Sequence, residues 1–281
     1  MIENIVAPEA GTTVHTLSMT HKLGVILVGN INGGIADFAD DIVRMHNNTL
    51  FLCTGNFMVG RMNPREQELE LGYLEGICSK HDNIVATIRG ELDNPCYFNR
   101  EKLEKINKGL SDYLKHVIFL DDYSIVTTRI GAFLCIGGKT VGGSNLSDKE
   151  EVDPWTKWTD LPNGLFNWKG GALTVFDPTP TYVEEITEDG PTMVDKNFIN
   201  EAIKRHNVTR ILTNVTPSAV DDEKYKLSEN LALTFMWREL HRQGVDISFW
   251  YSSTDIPAQT VRKYNTTFVS LLAKETEKWP L

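Results

Sequence analysis

The residues with the clearest promise for chemistry lie in five small polar clusters, each of which follows a short apolar run of the sequence. Amides, hydroxyls and carboxylates make up these clusters, in chain order Asn30 and Asn32, Asn56, Glu91 and Asp93, Asn214, and Ser253 and Asp255. Side-chain oxygens are the ligands that hard cations such as Mg²⁺ and Ca²⁺ prefer. None of the seven histidines falls in a cluster, so the pattern does not favour a transition-metal site built on imidazole.

Strands must bring these clusters together if they are to form one site. The apolar runs that precede the clusters are short and rich in β-branched residues, which predicts buried strands. They are residues 24–29, 50–54, 84–88, 210–213 and 247–251. In open α/β sheets the functional crevice lies beyond the carboxyl ends of the strands. The sequence therefore predicts that the five clusters border one crevice.

Helices alternate with these predicted strands. Apolar residues recur at helical spacing in three stripes, which are Ile35, Phe38, Ile42 and Met45, then Leu69, Tyr73 and Ile77 behind Pro64, and then Leu103, Ile106, Leu110 and Leu114. Two more helices are predicted near residues 195–205 and 227–243. This alternation is typical of an α/β fold with helices packed on the faces of a sheet.

The alternation of predicted strands and helices stops in the middle of the chain. Runs at 117–120, 123–128 and 131–137 follow one another with short connections, which predicts an antiparallel meander in a second sheet. A last strand is predicted at 266–272. The expected fold is a layered α/β sandwich within a single domain, residues 1–281, interrupted by an irregular insertion rich in Trp, Pro and Gly at about residues 142–192.

The order of the five clusters resembles the metal-binding motifs of the calcineurin-like metallophosphoesterases. That family has Gly-Asp-x-His-Gly, then Gly-Asp, Gly-Asn-His-Asp, a lone His after a strand, and Gly-His-x-His-x-Pro. The resemblance covers roughly residues 22–260 and keeps the framing residues Gly29, Gly33, Gly55, Gly90, Asp93 and Pro257. It implies an αββα sandwich, in which two mixed β-sheets are flanked by helices.

The first three motifs differ from the family wherever it places a metal ligand or the catalytic histidine. Asn30 and Asn32 stand in place of the Asp and His of the first motif. Asn56 stands in place of the Asp that bridges two metals in the second. In the third motif Glu91 replaces the ligand Asn, and Leu92 replaces the catalytic His.

The last two motifs are altered in the same way, with Asn214 in place of the lone His and Ser253 and Asp255 in place of the final pair. Two-metal phosphoesterases need dications to activate water and neutralise the phosphoryl oxygens. Neutral amides hold dications poorly, although they keep the shape of Asp and can form hydrogen bonds in its place. We therefore expect a degenerate member of the family with no catalytic residue and no cofactor, acting as a binding or scaffold module for a protein partner.

Two alternatives remain open. Glu91, Asp255 and Asp93 would together hold one Mg²⁺ or Ca²⁺ ion, with help from amide oxygens. That arrangement would belong to a metal-dependent phosphoesterase with a divergent site, although Asp93 also suits a turn because Asp-Asn-Pro is a loop signal. The second alternative is a sensor that binds a nucleotide or another small ligand in the former active-site pocket, among its asparagines.

The insertion and the charge bear on partners. Trp155, Trp158 and Trp168 are candidates for partner contact, and they equally suit the packing of the insertion onto its own core. The net charge of −10 disfavours non-specific nucleic-acid binding and anionic membrane surfaces. No run in the sequence approaches the ~20 apolar residues of a membrane span, and the four cysteines form no Cys-x-x-Cys pair, so we expect a cytoplasmic protein.

Overall fold

The computed structural model describes residues 2–6, 13–60, 64–90, 93–98, 103, 108–121, 123–137, 200–217, 231–254, 259–272 and 276–278. The predicted site residues Glu91, Leu92 and Asp255 lie outside this set. The insertion at about residues 142–192 lies outside it as well, and with it Trp155, Trp158 and Trp168.

Thirteen strands occur in the described parts of the chain. In order they are β1 (Ile2–Val6), β2 (Thr13–Ser18), β3 (Gly24–Val28), β4 (Thr49–Cys53), β5 (Ile84–Thr87), β6 (Val117–Phe119), β7 (Ser124–Thr128), β8 (Gly131–Ile136), β9 (Val208–Thr213), β10 (Phe249–Thr254), β11 (Gln259–Lys263), β12 (Thr266–Leu272) and β13 (Thr276–Lys278).

The helices that accompany the strands in the described residues include α1 (Ile35–Asp41), α2 (Pro64–Lys80), α3 (Lys108–Tyr113) and α4 (Leu231–Arg242). Residues 200–205 are helical as well, and single 3₁₀ turns occur at Val43–Met45 and Pro95–Phe98. Within the ranges given above, no helix has both the length and the apolar character needed to cross a membrane.

The smaller sheet has five strands in the order β13-β3-β4-β5-β6. Strands β3 to β6 run parallel, and β13 pairs antiparallel along the outer edge of β3. Parallel strands that are covered on both faces have nearly continuous apolar runs in their sequences. All five residues of β4 and all four of β5 are buried, which agrees with the predicted strands at 50–54 and 84–88.

The larger sheet has eight strands in the order β1-β2-β7-β8-β9-β10-β12-β11. Its centre is parallel from β8 through β9 and β10 to β12. Strand β2 also pairs parallel with β7, whereas β1, β7 and β11 pair antiparallel with β2, β8 and β12. The sheet is therefore mixed, as a fold with hairpins at both sides of a parallel centre must be.

The two sheets face each other across a shared core. Side chains alternate along a strand, so Leu50 and Leu52 of β4 enter the inter-sheet core beside Leu212 of β9, while Phe51 and Cys53 pack on the other face with α1 and α2. Helix α4 covers the outer face of the larger sheet. The layers run α–β–β–α, which confirms the predicted layered sandwich of two mixed sheets flanked by helices.

The predicted three-stranded meander is wrong. Strand β6 pairs parallel with β5 in the smaller sheet, with Val117 opposite Val85, and only β7 and β8 form an antiparallel pair in the larger one. Helix α3 lies between β5 and β6 in the chain, and strands joined through such a crossover helix run parallel. The short connection after β6 is therefore a change of sheet.

Helix α2 forms as predicted, but it buries a different face. Leu69 and Tyr73, two of its three predicted core residues, are 66% and 41% exposed. Met45, assigned to the preceding apolar stripe, is 72% exposed. The face of α2 that enters the core instead carries Gln67, Leu71, Leu74 and Cys78.

Gln67 explains why the apolar pattern misplaced this face. Its side-chain oxygen accepts a hydrogen bond from the backbone of Gly60 (2.5 Å), and its nitrogen donates to the hydroxyl of Tyr97 (2.7 Å). A buried polar group is tolerated when its hydrogen bonds are satisfied. A glutamine in the first turn of α2 therefore points into the core. From apolar periodicity alone, this position is predicted to be exposed.

Candidate functional site

The carboxyl ends of four strands meet in a set of hydrogen bonds, here called the amide cluster, formed by Asn30, Thr54, Asn214 and Ser253. Asn30 follows β3, Thr54 follows β4 and Asn214 follows β9, and all are buried. Asn30 Oδ1 accepts from Thr54 Oγ1 (3.1 Å) and from Asn214 Nδ2 (3.0 Å). Asn214 Nδ2 also donates to the backbone oxygen of Thr54 (2.7 Å). Because β9 belongs to the larger sheet and β3 and β4 to the smaller, these bonds join the two sheets.

Ser253 completes the amide cluster from β10. Its hydroxyl oxygen accepts from the backbone N–H of Asn30 (3.1 Å) and donates to the backbone oxygen of Leu271 (3.3 Å). The backbone N–H of Ser253 in turn donates to the oxygen of Asn214 (3.2 Å). The sequence places Ser253 in a loop after a strand ending at Tyr251, but β10 continues to Thr254, so this serine is held by the strand itself.

A second group of polar residues adjoins the amide cluster. Asp93 Oδ2 accepts from the backbone N–H groups of Asn56 (2.9 Å) and Gly90 (2.7 Å). Asn56 has a left-handed backbone (φ 57°), which Asn adopts more readily than most residues. A β-carbon at Gly90 would overlap the Asn56 backbone nitrogen and lie 2.7 Å from Asn56 Cγ. Glycine at position 90 is thus required for the loops after β4 and β5 to touch.

Asp93 is a buried carboxyl whose pKa differs from that of an ordinary Asp. Burial raises the pKa of Asp93 to about 6, against the opposing effect of the backbone N–H groups of Gly90 and Asn56 and then of Met58 and Val59. Its second oxygen, Oδ1, makes no hydrogen bond of regular geometry within the described residues. The carboxyl organises two loops through Oδ2 while Oδ1 stays buried away from water.

The remaining predicted site residues divide into two groups. Asn32 is exposed, with a left-handed backbone (φ 53°), whereas the members of the amide cluster are buried. Glu91, Leu92 and Asp255 fall outside the described residues, so their membership in the site stays a prediction. The structure brings together Asn30, Asn214 and Ser253, and places Asn56 and Asp93 beside them through a hydrogen bond from Ile31 N–H to the oxygen of Gly55 (3.2 Å).

Sequence reasoning missed Thr54, which is a full member of the amide cluster. Its position directly after an apolar strand was the available signal, because Asn214 occupies the same place relative to β9. A neighbouring hydroxyl group was missed as well, in which Thr216 Oγ1 lies 2.6 Å from Ser252 Oγ and 3.3 Å from Ser270 Oγ. Both sets of hydroxyls are buried and hydrogen-bonded, as buried polar groups must be.

The described part of the site is closed by its own hydrogen bonds. The amide cluster is made of neutral side chains, and its amides are directed at one another. A side-chain carbonyl has two acceptor positions and an amide nitrogen two donor positions. Both positions of Asn30 Oδ1 and both of Asn214 Nδ2 are occupied by the bonds given above. No group of three or more His, Cys, Asp or Glu side chains suited to a metal ion occurs in the described ranges.

No protein-family model and no curated protein matches the sequence. Among solved structures, the phosphopantetheinyl hydrolase of Mycobacterium tuberculosis is similar over 90% of this chain and 89% of its own, with 8% identity and a TM-score of 0.40. A cold-active protein-tyrosine phosphatase of a psychrophilic Shewanella species is similar over 95% of this chain and 80% of its own, with 9% identity and a TM-score of 0.32. The fold assignment rests on the sheets and cores described above.

Proposed function

We propose that this chain is a catalytically inactive metallophosphoesterase-like protein that works by binding a protein partner. The observation that carries the proposal is the hydrogen bond between Asn214 and Asn30, which occupies the place where the resemblance locates metal ligands. Clustered carboxylates without a cation would repel each other and resist burial. Amides of nearly the same shape remove that cost and hold the two sheets together by themselves.

The same bonds limit other uses of the crevice. For Asn30 Oδ1 to coordinate a metal or accept from a ligand, it would have to give up Thr54 or Asn214. A buried polar group left without a partner costs roughly 1–3 kcal/mol. If the protein were a sensor, each of these amides that bonded to a ligand would lose a present hydrogen bond and incur this cost.

The test of inactivity is a hydrolysis assay with a phosphate monoester and a phosphate diester in the presence of Mn²⁺ or Mg²⁺. We expect the rate to equal that of buffer with the same metal. The control is the Glu91→Ala variant, purified in parallel, because a contaminating phosphatase would act equally in both samples. Metal-dependent hydrolysis by the wild-type chain that Glu91→Ala abolishes would overturn the proposal.

The partner-binding part of the proposal is supported by the exposed face of α2, here called the α2 face and formed by Leu69, Gly72, Tyr73 and Gly76. These residues follow the i, i+3, i+4, i+7 spacing of one side of a helix. Leu69 is largely exposed and Tyr73 partly so, Gly72 lies against the Tyr113 hydroxyl, and a β-carbon at Gly76 would meet no atom within 4 Å. An apolar stripe with an open notch of this kind suits the apolar side of another helix.

Charges around the α2 face define the chemistry of the partner. Glu66 and Glu68 are exposed on the same helix. The Tyr73 hydroxyl donates to Asp40 of α1 (2.7 Å), but the charge of Asp40 is balanced by its ion pair with Arg44, which also donates to the Tyr73 hydroxyl. The chain as a whole carries a net charge of −10. We therefore assign the partner a basic amphipathic helix, whose apolar side would pack on Leu69 and Tyr73 while its cations face Glu66 and Glu68.

The partner face is tested with paired variants. Leu69→Gln and Tyr73→Gln should both lose a partner that the wild-type chain retains in quantitative capture from its native cells, and chemical cross-linking should map to a basic helical segment of that partner. Leu23→Gln is the matched control, since Leu23 is also exposed but lies before β3. Retention of every partner by both α2 variants would contradict the assignment, as would self-association of the chain through this face.

A second candidate function is a divergent phosphoesterase with a single hard cation, and the buried Asp93 is the observation that favours it. Its raised pKa and its Oδ1 without a regular hydrogen bond mean that a nearby cation would stabilise the carboxylate. Glu91 and Asp255 are the further ligands that the sequence offers. A melting temperature that rises with Mg²⁺ or Ca²⁺, and no longer rises in Asp93→Asn, would support this candidate over the first.

A further inference from the structure

The turn between β11 and β12 holds an aromatic residue in an unusual backbone conformation. Lys263 and Thr266 are paired across the hairpin, which leaves a two-residue turn of Tyr264 and Asn265. Tyr264 has φ 51°, in the left-handed region where Gly, Asn and Asp are favoured. The Tyr264 side chain is also 71% exposed, so neither turn propensity nor burial accounts for an aromatic residue there. Strained positions of this kind point to a hypothesis of function.

Tyr264 packs against two other rings, and its ring lies 5.9 Å from that of Trp237 at 40°. Its ring lies 4.8 Å from that of His241 with an angle of 27° between planes. The His241 ring in turn lies 6.5 Å from that of Trp237, one turn earlier on α4, at 20°. The indole Nε1 of Trp237 donates to Thr266 Oγ1 (3.2 Å), which fixes the base of the stack on β12. The Tyr264 ring is thus held against two other rings while most of its surface faces solvent.

A concave site, here called the Tyr264 pocket, opens beside this stack. It has a volume of about 350 Å³ and is lined by Trp237, Arg238, His241, Lys263 and Tyr264. Small-molecule sites start at roughly 300 Å³. Among the described lining residues two carry a permanent positive charge and none is acidic. A smaller cavity of about 130 Å³ adjoins it and is lined in part by Asp246.

We propose that the Tyr264 pocket binds a small anionic ligand with a planar ring, of the mononucleotide class. The ring would stack on Tyr264, because aromatic faces accept any base. The phosphate would pair with Arg238, whose guanidinium can donate two parallel hydrogen bonds to one anion, and with Lys263. A local cationic lining on a chain of net charge −10 suits a small anion better than a long polyanion, which would meet repulsion beyond the pocket.

This site is separate from the amide cluster and from the α2 face. It is built by α4 and the β11–β12 hairpin of the larger sheet, whereas the α2 face lies on the helix that covers the smaller one. Its occupancy therefore depends neither on the loss of the metal ligands nor on the proposed partner. Failure of one proposal leaves the others standing.

The experiment is isothermal titration calorimetry of the full chain with AMP, adenosine and ribose 5-phosphate. AMP should bind at one site, and the two fragments should bind about tenfold more weakly or worse, because each lacks one half of the recognised group. A single-stranded oligonucleotide is titrated as well. If it binds more tightly than AMP, the ligand is a nucleic acid and the proposal of a small ligand is overturned.

Three variants locate the binding. Tyr264→Asn should weaken AMP about tenfold without lowering the melting temperature, since Asn tolerates the left-handed turn. Arg238→Gln should weaken AMP by at least about tenfold. Arg205→Gln removes the same charge from an exposed site on another helix and should leave affinity unchanged. No heat with millimolar AMP, or equal affinities for Tyr264→Asn and the wild type, would sink the proposal.

Discussion

Asn214 Nδ2 donates to Asn30 Oδ1 over 3.0 Å, and this bond connects residues 184 positions apart in the chain. Replacing either asparagine by alanine leaves buried polar atoms of Thr54 or of the other amide without a partner. We expect Asn30→Ala and Asn214→Ala each to lower the free energy of unfolding by ~1–3 kcal/mol, as measured by urea denaturation.

The double variant sharpens this test. Because the two amides share one hydrogen bond, the loss in the double variant should be smaller than the sum of the single losses. Asn32→Gly is the matched control, since Asn32 is exposed and its left-handed backbone suits glycine. Fully additive losses would show that Asn30 and Asn214 act independently, against the closed cluster described above.

The buried Asp93 predicts a pH-dependent stability of a definite sign. Its pKa of about 6 in the folded chain is above the value of 3.8 for an ordinary Asp, so the folded state holds its proton longer than the unfolded state. Stability from this group is therefore highest at low pH and declines as the pH rises from about 4 to about 6, by a total on the order of 3 kcal/mol.

Comparison with Asp93→Asn isolates that contribution, because other titrating groups are common to both chains. The difference in free energy of unfolding should shift in favour of the variant between pH 4 and pH 7, as measured by urea denaturation across that range. A difference that stays constant with pH would show that the carboxyl is not the buried acid described here. A bound cation would also reduce the pH dependence of this difference, and in that case the difference would change when metal is added.

Gly90 and Gly76 predict opposite responses to the same substitution. Gly90→Ala forces a β-carbon into the backbone nitrogen of Asn56, and the loop after β4 must move or the chain must lose stability by more than ~2 kcal/mol. Gly76→Ala adds a β-carbon on α2 that meets no atom within 4 Å, and it should stabilise the helix by ~0.5–1 kcal/mol. Thermal unfolding distinguishes the two, and equal effects would contradict the contact between the loops.

The corrected face of α2 is checked by Leu71→Ala against Leu69→Ala. Leu71 is fully buried in the core beneath α2, so its truncation should cost ~2–5 kcal/mol. Leu69 is 66% exposed, and its truncation should change the free energy of unfolding by less than ~0.5 kcal/mol. A larger loss for Leu69→Ala than for Leu71→Ala would restore the face that the apolar pattern predicts.

The central strands could be predicted from sequence because they are buried on both faces. The apolar runs that become β4 and β5 contain few polar interruptions, and their predicted bounds lie within one residue of the observed ones. The outer strands gave no such signal. In β11 the exposed and half-buried positions alternate, so its composition is that of a polar surface segment.

The position of the amide cluster could be predicted from the sequence, but its hydrogen bonds could not. The rule that strand ends share a crevice predicts that Asn30, Asn214 and Ser253 lie near one another, and hydrogen bonds join them in the structure. The hydrogen bonds themselves depend on how one sheet is positioned against the other, which no local pattern in the sequence encodes. For the same reason Thr54 escaped notice, since its role exists only once both sheets are in place.

The short strand β13 carries a consequence for handling the protein. It pairs along β3, covering the backbone of Ile26, Leu27 and Val28, and without it the flank of an apolar strand would offer free N–H and C=O groups to other molecules. Unprotected edges of this kind template intermolecular sheet growth. A version shortened to end at Leu272 should therefore precipitate, even though it would keep every residue of the amide cluster.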